Sequence, residues 1–80
     1  MTEQERAMLD LEDRWFTTAG AKEDAIRAIG LSPTRYYQLL SRALGTERAL
    51  RYAPVTVKRL RRIAAANVAR RDASRSTLSR

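Results

Sequence analysis

Neither cysteine nor histidine occurs among the 80 residues. Their absence excludes disulfides, thiol nucleophiles, zinc sites built from Cys or His, and imidazole acid–base chemistry. Large rings are scarce: Trp15, Phe16, Tyr36, Tyr37 and Tyr52 are the whole set. Much of any core must therefore come from Leu, Ile, Val and Ala. No apolar run approaches the ~20 residues that a membrane span needs, and the TEQER start has neither the charged nor the apolar region of a signal peptide. The expectation is a cytoplasmic protein with no membrane contact. There is no Gly-rich loop to cradle a phosphate, and a chain this short has little room for a water-excluding pocket. An enzyme is not expected, nor any cofactor or metal.

What the chain does have is charge, unevenly placed. The total is +7. Residues 1–24 carry seven acids against Arg6, Arg14 and Lys22, a net of −4, whereas residues 25–80 carry thirteen bases against Glu47 and Asp72, a net of +11. A basic segment of this kind suits a polyanion, because Lys and Arg bound to phosphates release condensed counterions. General solubility is the plainer reading of the same charge.

The spacing of apolar residues predicts an all-α fold, a helix-turn-helix bundle of four main helices plus one short helical piece. Thr2 and Glu5 form a capping box for a first helix. Its stripe runs Met8, Leu11, Trp15 and Thr18, widened by Leu9 and Phe16, and it ends near Ala19–Gly20. A second helix covers about 21–29, with Ala25, Ile26 and Ile29 inward. Gly30 ends it in the left-handed conformation that helix termini favour. Ser32 caps the third helix and Pro33 fills its first turn; Tyr36, Leu39, Leu40 and Ala43 face inward until Gly45 stops it. Thr46 caps a short piece before Pro54, which opens a last helix to about Arg71. There Val57, Leu60, Ile63 or Ala64, and Val68 face the core. A folded domain over 1–71 is thus followed by a basic tail, 72–80, expected to be disordered.

The stretch GLSPTRYYQLLSRAL carries the functional signal. Ala25, Ile29, Leu31, Tyr36 and Leu39 fall where a helix-turn-helix needs apolar contacts, with Gly30 at the turn. Ile26 departs from the pattern, since a small residue usually permits close helix approach there. A plain helical hairpin would share some of this spacing. In the helix-turn-helix reading, Tyr36 goes into the core and the third helix enters a major groove. Its outward residues are Thr34, Arg35, Tyr37, Gln38, Ser41 and Arg42. Arg35 can pair two-pronged with guanine and Gln38 with adenine, while Tyr37 can donate to phosphate or pack along a base edge. Lys58, Arg59, Arg61 and Arg62 supply phosphate contacts; the alternative is an exposed face whose long stems cover apolar surface. Arg70, Arg71, Arg75 and Arg80 could trail along the duplex.

The stretch from Arg6 to Trp15, Gly20, Lys22 and Glu23, Ala25 and Ile26, Ser32, the TRYYQ element at 34–38, and VKRLRR at 57–62 resemble the DUF3263 family. These are small actinobacterial and actinophage proteins of unknown function. The resemblance spans about residues 6–62. It implies a helix-turn-helix-like protein from such a source and brings no activity and no catalytic residues.

The leading expectation is a double-stranded-DNA-binding protein, a transcriptional regulator or nucleoid-associated binder. A homodimer would place two reading helices one DNA turn apart, and an exposed ring of the Trp15–Phe16 pair could serve as its contact. Otherwise both rings complete the core. The competing reading is a protein-interaction module that docks on RNA polymerase or another host factor. Its acidic first helix, through Glu3, Asp10, Glu12 and Asp13, would meet a basic partner. RNA binding is a third reading, weakened by the lack of a strand platform or a cluster of exposed rings.

Overall fold

The computed structural model describes the backbone of residues 1–78 and the side chains of residues 1–70. Five helices follow one another: α1 (Glu3–Glu12), α2 (Ala19–Ala28), α3 (Pro33–Leu44), α4 (Glu47–Tyr52) and α5 (Pro54–Leu78). No strand occurs among the described residues. The fold is all-α, four main helices and one short piece.

Each short helix starts on a hydroxyl cap. Thr2, Thr18, Ser32 and Thr46 are extended, and each side-chain oxygen accepts the backbone N–H three residues on. Those amides have no partner inside the helix, which is why hydroxyls sit at these positions. The box expected at Thr2 forms in altered shape: Thr2 Oγ1 lies 3.4 Å from the Glu5 carboxylate, which also pairs with Arg48.

Between α2 and α3 the chain makes a Schellman turn. Leu31 N–H donates to the Ile26 carbonyl and Gly30 N–H to that of Arg27, with Gly30 at φ +89°. An L side chain there would be strained by about 1–2 kcal/mol, although open space surrounds the position. Leu31 and Ile26, the residues flanking the turn, both pack into the core.

Met8, Leu9 and Leu11 of α1 pack against Ile26, Tyr36, Leu40, Ala49 and Val57. α1, α2 and α3 thus form a three-helix unit, which α4 and the start of α5 close from one side. Among the described residues nine apolar side chains are buried, a modest core for a chain of 80 residues.

Two expectations are corrected. α1 stops at Glu12 instead of near Gly20. Thr18 is needed in an extended conformation to cap α2, and the Trp15–Phe16–Thr17–Thr18 run consists of poor helix formers. Freed from the helix, Trp15 is 83 % exposed, while Phe16 alone packs on the core beneath the Arg14 guanidinium, 5.0 Å from its ring centre. Ile63 and Val68 are half exposed and Ala64 is exposed, not core residues. α5 is 25 residues long, about 37 Å at 1.5 Å per residue, and no partner helix exceeds 12 residues, so it runs past them. The helix assigned as α5 runs on to Leu78, over the start of the expected tail at 72–80, whose side chains lie outside the described residues. No Gly or Pro follows Pro54 to stop it. Residues 79 and 80, the end of that expected tail, lie outside the described residues.

Candidate nucleic-acid interface

Tyr36 fixes the orientation of α3. Its ring is fully buried, and its hydroxyl lies 3.3 Å from the Met8 carbonyl and in contact with the Glu12 carboxylate. The hydroxyl has one proton, and the carboxylate is the stronger acceptor. Burial, then the hydrogen bond and charge of Glu12, raise the Tyr36 pKa well above its ordinary value of 10.0. Leu40 and Ala43 are buried on the same side.

With that side locked, the opposite face is decided. Thr34, Arg35, Gln38, Ser41 and Arg42 are all exposed, spread over roughly 120° of the helix surface. Among the described residues none of these side chains makes an ion pair or hydrogen bond. They are free to meet a ligand.

Tyr37 is placed differently. It is 47 % exposed but lies at the edge of this face, stacked edge-on against Tyr36 at 5.0 Å, with the Lys22 ammonium 5.6 Å from its ring centre. It lines a groove of about 610 Å³ between α3 and α5, together with Leu40, Leu44, Leu60, Ile63 and Val68. Tyr37 points out of the core, and partly sideways.

The four bases of KRLRR divide into pairs. Arg59 Nη2 donates to the Glu12 carbonyl at 2.8 Å, and Arg61 Nε donates to the Leu44 carbonyl at 2.7 Å. Glu12 and Leu44 are the last residues of α1 and α3. Both arginines therefore satisfy orphan carbonyls at the negative ends of helix dipoles. Lys58 and Arg62 are exposed and have no ion-pair partner among the described residues. They sit about 150° around α5 from the Val57–Leu60 side, turned away from the groove that α5 shares with α3. The side chains of Arg71, Arg75 and Arg80 lie outside the described residues; Arg70 is bonded to Asn67.

Of the acids of the N-terminal segment, Glu5 and Glu12 are partly buried, and Glu3, Asp10, Asp13, Glu23 and Asp24 are exposed. Glu12, with only 6 % of its side chain exposed, pairs with Lys22 at 3.1 Å and with Tyr36, which corrects the expectation that it is exposed for a partner. Glu5 takes Arg48 at 3.0 Å, and this hydrogen bond holds the Glu5 carboxyl below its ordinary 4.5. Asp10 accepts from the Tyr52 hydroxyl, raising the phenol's pKa, and Asp13 accepts from Thr56.

Over residues 1–74 the chain matches the family described as protein of unknown function DUF3263. The chain belongs to the DUF3263 family. No curated protein and no solved structure is similar to it. No helix among the described residues of this DUF3263 protein is long and apolar enough to cross a membrane.

The sequence could have revealed two things that periodicity missed. Thr18 is a hydroxyl placed to cap a helix that begins at Ala19, which requires α1 to end before it and takes Trp15 off α1's stripe. Arg59 and Arg61 lie on opposite flanks of the Val57–Leu60 face, where each can reach a neighbouring helix end. The signal was spacing, but the acceptors are 47 and 17 residues away.

Proposed function

We propose that this DUF3263 protein binds double-stranded DNA as a helix-turn-helix protein, with α3 as the reading helix. The reading extends to a transcriptional regulator or nucleoid-associated binder in the cytoplasm. One observation carries it: five polar and cationic side chains on α3 stand exposed and unengaged on a helix whose other side is locked by Tyr36, Leu40 and Ala43. Surface arginines that serve the fold make contacts within it, as Arg48, Arg59 and Arg61 do. Arg35 and Arg42 make no ion pair or side-chain hydrogen bond among the described residues. A rigid face of this composition matches base edges and flanking phosphates.

Arg35 and Gln38 are the base readers, and Thr34, Ser41 and Arg42 position the helix on phosphates. Tyr37 belongs to the edge of the contact, where its hydroxyl can reach a sugar or phosphate. Arg59 and Arg61 hold helix ends and contribute long-range charge. Lys58 and Arg62 project from another side of the bundle and can touch phosphates only of a duplex that curves around α5. α3 alone thus supplies the sequence preference.

Fluorescence anisotropy with duplexes selected from random sequence tests this reading. Arg35→Ala should flatten the preference at one or two base pairs. Arg42→Ala should weaken binding to every duplex and lower the salt slope by about one. Absence of binding even at low salt, or binding indifferent to both substitutions, defeats it.

A further inference from the structure

A second exposed surface lies on the other side of α1. We infer that Trp15 and the groove beside it form a docking site for a protein, one that presents an apolar socket bordered by Lys or Arg. Trp15 is 83 % exposed, Val55 76 % and Tyr52 42 %. In a chain with so few rings, an indole left in water is conspicuous. Indoles anchor interfaces because they bury large area at little entropic cost. Asp13, two residues before Trp15, lines an open groove of about 600 Å³ together with Asp10, Tyr52, Pro54, Val55 and Thr56.

The segment bearing Trp15 is tethered on both sides. Arg14 N–H donates to the Leu11 carbonyl, Asp13 is held by Thr56, and Arg59 binds the Glu12 carbonyl. After Trp15, Phe16 is packed on the core and Thr18 is fixed as a cap. The indole is therefore presented at a set place, which lowers the ordering cost of binding.

Charge selects the partner class. The groove is lined by two carboxylates and no base, in a chain whose net charge is +7. Carboxylates repel phosphate, so nucleic acid is disfavoured here. A symmetric second copy would set Asp10 and Asp13 against their own twins. A protein with cations around an apolar pocket meets both features at once. This surface is separate from α3's outward face, because α1 packs on the Tyr36 side of α3.

The test places a benzophenone amino acid at position 15, and at position 38 as control, in the full chain in its native host. Irradiation, followed by mass spectrometry, should give a protein adduct specific to position 15. That protein, once purified, should bind the full chain at least tenfold more weakly after Trp15→Ala, and similarly after Asp13→Lys. Reversing one cation beside its socket to Glu should restore binding to the Asp13→Lys chain. Both variants alter exposed side chains, and their helical signal and melting check the fold. Val55→Ala gives a second reading if Asp13→Lys unfolds. No adduct specific to position 15, adducts with nucleic acid or a second copy, or affinity indifferent to Trp15→Ala would overturn the inference.

Discussion

α1 and α3 are of similar length and both carry charged and polar side chains, five charges on α1 and two on α3, yet they use them in opposite ways. On α1, Glu5, Asp10 and Glu12, and Asp13 at its end, hold Arg48, Tyr52, Lys22 with Tyr36, and Thr56. On α3, Arg35, Gln38 and Arg42 hold nothing within the described fold. Both helices contact all four others, so the difference lies in the face that bears the polar groups: α1's acids lie against neighbours that supply Lys22, Tyr36, Arg48, Tyr52 and Thr56. α3 has one side in the core and the other in water. The contrast separates charge that builds the fold from charge available for a partner.

Breaking α1's side of the contrast should have the largest effect. Glu12→Ala removes the acceptor of Tyr36 and the partner of Lys22 in a nearly buried site, and should cost about 2–4 kcal/mol. Urea unfolding monitored by circular dichroism measures it. A loss within about 0.5 kcal/mol would mean that α1's charges are as dispensable as those of α3. On α3, Arg35→Ala should leave urea stability within about 0.5 kcal/mol and remove roughly 1–3 kcal/mol of discrimination between duplexes. Competition titrations read the second quantity.

Gly30→Ala bears on the link between the two helices. It should destabilise by about 1–2 kcal/mol through the positive φ alone, since no neighbour would clash. Arg59→Ala should cost about 1 kcal/mol, and Lys58→Ala nearly nothing, although the two are adjacent in sequence. Equal losses would erase the division drawn within α5.

The smallest effect concerns pH. Glu5 has a folded pKa below its ordinary 4.5, owing first to the Arg48 hydrogen bond. A depressed carboxylate stabilises the fold above its unfolded pKa, and the contribution is lost as pH falls through the folded value. Arg48→Ala should therefore lower the melting temperature slightly at neutral pH. The gap to the unsubstituted chain should close in acid below about pH 4.5.

Much of this was legible in the order of residues. Ser32, Pro33 and Gly30 specify a turn and a helix start by local chemistry, and they stand where the spacing placed them. Tyr36 in and Tyr37 out follows from helical geometry once Leu40 and Ala43 define the buried side. Spacing alone misplaces Trp15, because it continues α1's stripe. Thr18 caps the next helix and so takes the chain out of register, a signal that the apolar stripe alone does not carry. Spacing marks Ile63 and Val68 as core for a related reason: periodicity tells which face is apolar, not whether another helix is long enough to cover it.

The sequence by itself determined the helices, their hydroxyl caps and the glycine turn, because these depend on hydrogen bonds and torsions spanning three to five residues. It also determined the excess of positive charge. Only the tertiary structure decided which charges are occupied: that Glu12 binds Lys22 and Tyr36, that Arg59 and Arg61 close helix ends, and that Arg35 stays free. The physical reason is distance. A charge is committed or available according to what lies within about 4 Å of it, and those neighbours come from helices far apart along the chain.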